Sequence, residues 1–348
     1  MSVSTWQHRL SPILAPLGRA YAFCVALRQK SCLKKAEKLP LPVISIGNIA
    51  MGGTGKTPVC EFLAHSLAEA GQKGVILSRG YKAARGSYPR LVDPDGEPGA
   101  CGDEPLMLAR SLRGRFQVVV DPVRLRGGEW AMRNLHPGVF ILDDGFQHVL
   151  AARDLNILLL TPHDLGQGWD RVFPGGMWRE GKKALTRADL FLVNTLGQDI
   201  REISALAHKR GIPETGPVFF FSLQAAGLED LLTGRESAGI AGRPYLLVTG
   251  VANPRRVYKT ARGMFGRAPA MHLAFRDHHF YGPGSMRRIN KAAAARKVKD
   301  IVCTAKDAVK LAPGSGLRFH VIKTALKFED DGQSLFLEKV LKILVTHR

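Results

Sequence analysis

Three things are scarce in this 348-residue sequence: acidic side chains, paired cysteines and long unbroken apolar runs. Thirty Asp and Glu against fifty Lys and Arg leave a net charge of +20, which implies an anionic partner: nucleic acid, an acidic lipid surface or a phosphorylated substrate. Cys24, Cys32, Cys60, Cys101 and Cys303 are odd in number and include no C-x-x-C pair. Neither a disulfide framework nor a structural zinc site is therefore expected, and a reducing cytoplasm fits. A spanning helix needs about 20 mostly apolar residues. The nearest approach, residues 6–28, is interrupted by Arg19, and Pro12 and Pro16 should break or delay a helix there. No small-residue cleavage site follows, which argues against a signal peptide. Internal repeats and low-complexity tracts are also missing, while 45% apolar content is enough to bury a large core.

What is present is organised around one stretch. Leu41-Pro-Val-Ile-Ser-Ile-Gly-Asn48 reads as an apolar strand running into a Gly-rich turn that ends in Gly55-Lys56-Thr57, followed by helical periodicity from Thr57 to Ala70. This is the grammar of a phosphate-binding loop, residues 50–57: Ala50, Met51, Gly52, Gly53, Thr54, Gly55, Lys56 and Thr57. Backbone N–H groups of such a loop curl around phosphate oxygens, Lys56 supplies a cation for the β- and γ-phosphates, and the Thr57 hydroxyl can hold Mg²⁺. The pattern usually begins with Gly, and Ala50 stands at that first position.

Short apolar runs alternate with helical patterns after the loop: Val75–Ser78, Gln117–Asp121, Val139–Asp144, Asn156–Thr161 and Ala188–Asn194. They read as buried strands of a parallel sheet. The alternation restarts at Tyr245–Thr249, Ile301–Thr304 and Phe319–Lys323, which suggests a second, smaller α/β unit. The join is expected between Val218 and Arg243, where Gly227, Gly234, Gly239 and Gly242 fall. The expected architecture is thus α/β, a P-loop NTPase-like parallel-sheet domain at 39–235 with a smaller C-terminal α/β lobe at 236–348. Residues 1–38 form an N-terminal amphipathic helix and basic segment. In that helix Trp6, Leu10, Ile13, Leu14, Leu17, Tyr21, Cys24 and Val25 recur at helical spacing, and over residues 1–40 seven Lys and Arg face Glu37 alone. The pattern suits a helix lying on an anionic bilayer and equally one packed on the core.

Several residues carry candidate chemistry. Val139-Phe-Ile-Leu-Asp-Asp144 ends a strand in two carboxylates, where a phosphate-loop enzyme places the acid that holds Mg²⁺. Asp103 and Glu104 stand at a helix start, where either could be a simple cap. Asp277-His-His279 could be a metal site, a base with its orienter, or loop residues facing water. Arg124, Arg126, Arg171 and Arg179 should fall at or after strand ends, where open parallel sheets bind ligands and a guanidinium matches phosphate geometry.

As a set, Ile44-Ser-Ile-Gly-Asn48 with its loop, Leu77-Ser-Arg-Gly-Tyr81, Gly102-Asp-Glu-Pro105, Leu142-Asp-Asp-Gly-Phe-Gln-His148, Pro174-Gly-Gly-Met-Trp-Arg-Glu180, Phe275-Arg-Asp-His-His279 and Thr304-Ala-Lys-Asp-Ala-Val-Lys310 resemble the tetraacyldisaccharide 4′-kinases, the lipid A 4′-kinases of Gram-negative bacteria. The motifs follow the family's order over nearly the whole chain, and the family tolerates a residue such as Ala50 at the first loop position. The resemblance implies ATP-dependent phosphorylation of the 4′-hydroxyl of an acylated glucosamine disaccharide 1-phosphate in lipopolysaccharide synthesis. It further implies a peripheral position at the cytoplasmic face of the inner membrane, with no nucleic-acid partner. Carried over residue by residue, Asp103 is the base, His278 pairs with it, and Lys56 serves the transferring phosphoryl group. Thr57, Glu104, Asp143 and Asp144 serve Mg²⁺, while Asn48, Tyr81, Arg124, Gln147, His148 and Arg179 line the disaccharide and phosphate region. Pro122 stands where the family pattern has Arg, which leaves Arg124 and Arg126 both open, and Trp178 replaces the usual Leu.

Two other classes share features of this sequence. A partitioning-type regulatory ATPase uses a similar loop, with Lys immediately before Gly-Gly where this chain has Met51. A nucleic-acid-binding NTPase is suggested by residues 255–310, where only Asp277, Asp300 and Asp307 offset the basic side chains, although aromatic residues there are thin.

Overall fold

Twelve strands, all in one sheet, organise the described residues of the computed structural model, which are 3–81, 83–84, 86–237, 239–240, 242–312 and 316–346. In chain order the elements are α1 (Val3–Leu33), β1 (Val43–Asn48), α2 (Lys56–Glu69), β2 (Gly74–Ser78), β3 (Arg90–Leu91), α3 (Pro98–Cys101), α4 (Asp103–Leu112), β4 (Phe116–Val120), α5 (Arg124–Leu135), β5 (Val139–Asp143), β6 (Leu155–Leu160) and α6 (Pro162–Leu165). There follow β7 (Leu190–Asn194), α7 (Ile200–Lys209), α8 (Ile212–Thr215), β8 (Val218–Asp230), β9 (Tyr245–Thr249), α9 (Pro254–Phe265), β10 (Met271–Ala274), α10 (Pro283–Ala295), β11 (Asp300–Thr304), α11 (Ala305–Ala308), β12 (Arg318–Phe328) and α12 (Gly332–Thr346).

The strand order, β3-β4-β2-β5-β1-β6-β7-β8-β12-β11-β9-β10, divides into two parallel blocks. From β4 to β8 the pairs are parallel, and so are those from β12 to β10; β8 and β12 meet antiparallel. Strands buried on both faces need continuous apolar sequence, and β1, β2, β5, β6, β7 and β9 are buried at every position. The region expected to be a Gly-punctuated join therefore begins with a 13-residue strand, β8, which the glycines masked.

Register explains how the blocks face each other. β8 pairs with β7 only through Phe221, whereas its Leu228–Asp230 end lies opposite Ile322–His320 of β12, the part that pairs with β11. From Phe221 to Leu228 the pair spans about 23 Å at a strand's rise of roughly 3.3 Å per residue. The second block thus lies beyond the C-terminal strand ends of the first, with its own strands reversed. The C-terminal ends of both blocks point into one cleft, and open parallel sheets bind ligands at those ends.

Helix α1 departs from expectation in two ways. It runs unbroken through Pro12 and Pro16. The two prolines are four residues apart, so the hydrogen bonds they delete lie along one line and the rest of the ladder continues. The side chains of Trp6, Arg9, Leu10 and Ile13 lie outside the described residues. Beyond them the helix comes closest where Gly18 lets its backbone approach the loop before β7, with the Tyr21 ring set edge-on to Phe173 at 6.0 Å. Gly18 is buried so close to the loop after β6 that a Cβ there would meet Val172 O at 2.7 Å, and the Leu14 carbonyl lies against Gly175. Gln29 Nε2 donates to Gln147 O at 3.3 Å. Leu14 and Val25 are half-buried, while Leu17, Tyr21, Phe23, Cys24 and Leu27 are exposed, so apolar side chains occupy both faces. No helix among the described residues is long and apolar enough to cross a membrane.

Candidate active site between facing strand ends

The phosphate-binding loop is held from both sides before any ligand arrives. Strand β1 ends at Asn48, whose Nδ2 donates to Ala50 O at 2.6 Å, and Asn194 Nδ2 at the end of β7 donates to Thr54 O at 3.0 Å. The segment 174–180 runs along the outer side of the loop: Met51 N donates to Met177 O and Arg179 N to Ile49 O, both at 2.8 Å. Ala50 forms an antiparallel bridge with Trp178, which is fully buried and donates through Nε1 to Asp164 Oδ1 at 3.0 Å. Residue 50 is thus a bridging strand residue, a position that does not call for glycine. Gly55 does need to be glycine: it turns the loop into α2 at φ 101°, in the left-handed region.

Lys56 Nζ lies 3.1 Å from Asn48 Oδ1 and 3.5 Å from Asp144 Oδ1. Arg179 Nη1 donates to both oxygens of Asp144, at 3.2 and 3.1 Å, and to Gln147 Oε1 at 2.9 Å; Gln147 Nε2 donates to Asn48 O at 2.9 Å. Asp144 itself takes φ 50° just past β5. Asp143 is buried, accepting from Ser78 Oγ at 3.0 Å and facing the Cys60 thiol at 3.7 Å. Burial first, and then the Asp144 charge, push the Asp143 carboxyl above its ordinary range. Burial pulls Asp144 the same way, but Lys56 and Arg179 outweigh it and hold that carboxyl low. Glu104 is raised, chiefly by burial and next by Asp143.

The two candidate arginines are separated by their partners. Arg126 donates two hydrogen bonds of 2.8 Å to Asp121, whereas Arg124, 2% exposed, donates through Nη2 to Asp143 O at 3.3 Å and through Nη1 to Asp121 O at 3.2 Å. Both Arg124 bonds go to main-chain carbonyls, but its charge lies in the field of Asp143 and Asp144, whereas Arg126 is held by the Asp121 carboxylate. Burial lowers it to about 10, so it stays charged at neutral pH. Burial followed by Arg124 lowers His148 to about 4, which leaves its imidazole neutral. Arg124 Nε and His148 Nε2 are buried with no hydrogen-bond partner among the described residues. Arg171 stays exposed.

Across the cleft the second block supplies the remaining groups. Asp103 opens α4 without capping it; the N-cap is Gly102, with no side-chain cap bond. Its Oδ2 lies 3.1 Å from His278 Nδ1 and 3.0 Å from Lys310 Nζ. His278 sits at φ 58°, its backbone N–H directed to Asp277 Oδ1 and Gly250 O. Its Nε2 is 3.0 Å from Lys306 Nζ, which also donates to Asp277 Oδ1 at 2.9 Å. The Tyr81 ring meets the imidazole edge-on at 5.8 Å. His279 turns elsewhere, stacked on Phe275 at 4.4 Å with Nε2 2.8 Å from Ser285 Oγ. Of the three options open for Asp277-His-His279, the geometry fits a carboxylate-oriented imidazole. Lys306, Lys310 and the buried Asp307 between them fall in the motif Thr304–Lys310 noted from sequence, which assigned none of them a role.

The sequence profile of the Tetraacyldisaccharide-1-P 4′-kinase family matches residues 10–342. Two similar sequences are the Tetraacyldisaccharide 4′-kinases of Nitratidesulfovibrio vulgaris, 41% identical over 91% of this chain and 89% of that one, and of Oleidesulfovibrio alaskensis, 41% identical over 94% and 91%. Among solved structures, LpxK from Aquifex aeolicus in complex with ATP is similar with a TM-score of 0.74 at 28% identity, covering 97% of this chain and 99% of its own.

Proposed function

The chain belongs to the tetraacyldisaccharide-1-P 4′-kinase family and is a lipid A kinase, a phosphotransferase acting on a hydroxyl group, and we propose that the cleft between the two blocks is where ATP and the acylated disaccharide 1-phosphate react. The observation that carries this reading is Asp103, whose carboxylate is contacted by His278 and Lys310 from the second block, while Glu104 beside it lies in the field of Asp143, Lys306 and Lys56.

The sugar 4′-hydroxyl holds its proton at neutral pH. Asp103 accepts that proton as the oxygen bonds to the γ-phosphorus, and the bond from that phosphorus to the bridging oxygen breaks, releasing ADP. The Gly52–Thr57 backbone and Lys56 neutralise the phosphate charge. Arg124 and His148, whose Nε and Nε2 have no hydrogen-bond partner among the described residues, line the disaccharide and phosphate region together with Asn48, Tyr81, Gln147 and Arg179. Because His278 and Lys310 reach Asp103 only when the blocks are together, closure completes the site and excludes water.

Mg²⁺ fits the residues present. Burial and the Asp144 charge raise Asp143, and burial and the Asp143 charge raise half-buried Glu104, a repulsion among carboxylates that a divalent cation would relieve. Among the described residues no group of three or more His, Cys, Asp or Glu is arranged as a metal cage. Mg²⁺ needs none, since it keeps waters and takes one or two carboxylates plus phosphate oxygens. Thr57, Asp143, Asp144 and Glu104 would hold the ion, which when bound neutralises charge on the phosphates.

Exposed Leu17, Tyr21, Phe23 and Leu27 beside Arg19, Arg28 and Lys30 support a peripheral seat of α1 on the anionic cytoplasmic face of the inner membrane. The boundaries 1–38, 39–235 and 236–348 divide the chain into this anchor and the two catalytic halves. Incubation with γ-labelled ATP and Mg²⁺, with and without tetraacyl disaccharide 1-phosphate in micelles, tests the function. A labelled bisphosphorylated lipid is expected only with acceptor; label released solely as inorganic phosphate would overturn the reading in favour of a regulatory ATPase.

A further inference from the structure

Both groups that reach Asp103 across the cleft land on the same oxygen. Oδ2 has His278 Nδ1 at 3.1 Å and Lys310 Nζ at 3.0 Å, and the described residues place no donor on Oδ1. The imidazole is equally committed. Its Nε2 lies 3.0 Å from Lys306 Nζ, an ammonium that can only donate, so Nε2 carries the lone pair and Nδ1 the proton directed at Asp103. Lys306 is anchored in turn on Asp277 at 2.9 Å.

The two lysines belong to one turn after β11. Asp307 lies between them, wholly buried, and its carboxylate accepts from Thr304 Oγ1 at 2.7 Å and from Gly250 N and Tyr281 OH at 2.8 Å; Lys310 N donates to Asp307 O at 3.0 Å. This turn fixes where both ammonium groups start. The Lys310 side chain is 3% exposed, and its ammonium has the Asp103 contact but no well-directed hydrogen bond among the described residues. A buried ammonium is costly unless an anion faces it. Its placement therefore depends on Asp103, and that of Asp103 on it.

We propose that Lys306 and Lys310 are positioning residues for phosphoryl transfer. Lys306 fixes His278 as the Nδ1–H tautomer, and Lys310 with that N–H occupies Oδ2, leaving Oδ1 to take the proton of the acceptor hydroxyl. Neither lysine touches substrate; both act through the carboxylate. This rests on Asp103 being the base.

The test uses full-length enzyme with ATP, Mg²⁺ and micellar acceptor, comparing Lys306→Met, Lys310→Met and the two Arg replacements, each also in an Asp103→Ala background. Each Met variant should lower kcat about tenfold to a hundredfold, below the roughly 10²–10⁴ that a positioned base supplies, with either KM changed less than about threefold. Arg replacements should recover part of the loss, and with Asp103→Ala present the Met changes should add nothing further. A lysine effect that multiplies in full with Asp103→Ala, or that falls on KM with kcat intact, overturns the proposal and leaves the base assignment standing. Asp103→Ala with wild-type kcat overturns the base assignment itself. Should Lys310→Met fail to fold, Lys306→Met with ¹⁵N-labelled histidine decides: the His278 Nδ1 proton, assigned by loss of its signal in His278→Asn, should be displaced, and an unchanged tautomer with unchanged kcat refutes the positioning role.

Discussion

The two parallel blocks of the sheet contribute to one cleft by different routes. In the first, Asp143 and Asp144 stand at the end of β5 while Lys56 and Thr57 open α2 past the loop that follows the adjacent β1, and neighbouring segments of the same block hold them through Asn48, Ser78 and Arg179. In the second, His278, Lys306 and Lys310 come from two separate turns, and two of them meet the first block at a single carboxylate oxygen. In the function proposed above, the first block holds the phosphate cradle, its side chains already fixed by neighbours. The second block would enter the reaction through Asp103.

That contrast is broken most directly in the cradle. Lys56→Ala should leave the fold intact and abolish transfer, because the cation neutralising the transferring phosphoryl group contributes several kcal/mol. Retention of more than about a tenth of wild-type kcat would refute the role given to the loop.

Removal of the crossing contact comes next. Asp103→Ala and His278→Ala should each lower kcat on the order of 10²–10⁴ while changing the KM for ATP little, since help from a base is needed only in the transition state. Combined, they should cost scarcely more than the worse single change. Losses that multiply would mean that the second block does not act through Asp103.

The second block also has its own staple, far from the cleft, at the start of β11. Asp300 is buried and accepts from Arg318 Nε and Nη2, Arg243 Nε and His320 Nε2 at 2.7 to 3.0 Å. Although burial alone would raise it, bonds from Arg318, Arg243 and His320 pull its carboxyl down to about 2. Unfolded, an Asp titrates near 3.9. The folded state therefore binds fewer protons, and the stabilisation, roughly 2–3 kcal/mol, is complete above about pH 4 and lost as pH falls toward about 2. Asp300→Asn should lower the melting temperature at pH 7 by several degrees. It should also remove a share of the acid sensitivity between pH 4 and 2, the rest coming from other carboxylates held low such as Asp144 and Asp277; equal acid sensitivity in both proteins would show that Asp300 contributes none of it.

How much of this could be read in advance follows the same division. Strands β1, β2, β4, β5, β6 and β7, the loop and the paired carboxylates are continuous in sequence, and local periodicity and spacing reveal them. β8 was hidden because its glycines and half-exposed positions read as a linker, and β12 was seen only in its buried N-terminal half. Contacts across the cleft have no local signal: residue separations of 175 between Asp103 and His278 arise from the reversal at β8 and β12. Family resemblance supplied that pairing and a motif containing Lys306 and Lys310, but no role for either lysine. Nor did periodicity reveal which face of α1 docks, because close backbone approach selects small residues whereas the pattern highlights large ones.

The smallest expected effect on stability, with a distinct effect on binding, is at α1, the only element of the first block's surround with a run of large exposed apolar side chains on one long helix among the described residues. Leu17→Ser, Phe23→Ser and Leu27→Ser change side chains that are 59%, 65% and 54% exposed, so the combined protein should melt almost as the wild type does. It should nevertheless release from anionic vesicles and show a KM for micellar acceptor raised by about tenfold, with added salt weakening the residual binding because charges are screened over about 10 Å at 0.1 M. Gly18→Leu provides the opposite perturbation: even its Cβ would press on Val172 O at 2.7 Å, so it should pry the helix from the loop that braces residues 49–51 and cost about 1–3 kcal/mol while leaving the exposed apolar side chains in place. If the serine variant melts early and still binds vesicles as the wild type does, those side chains pack on protein rather than lipid, and the peripheral membrane seat must be abandoned.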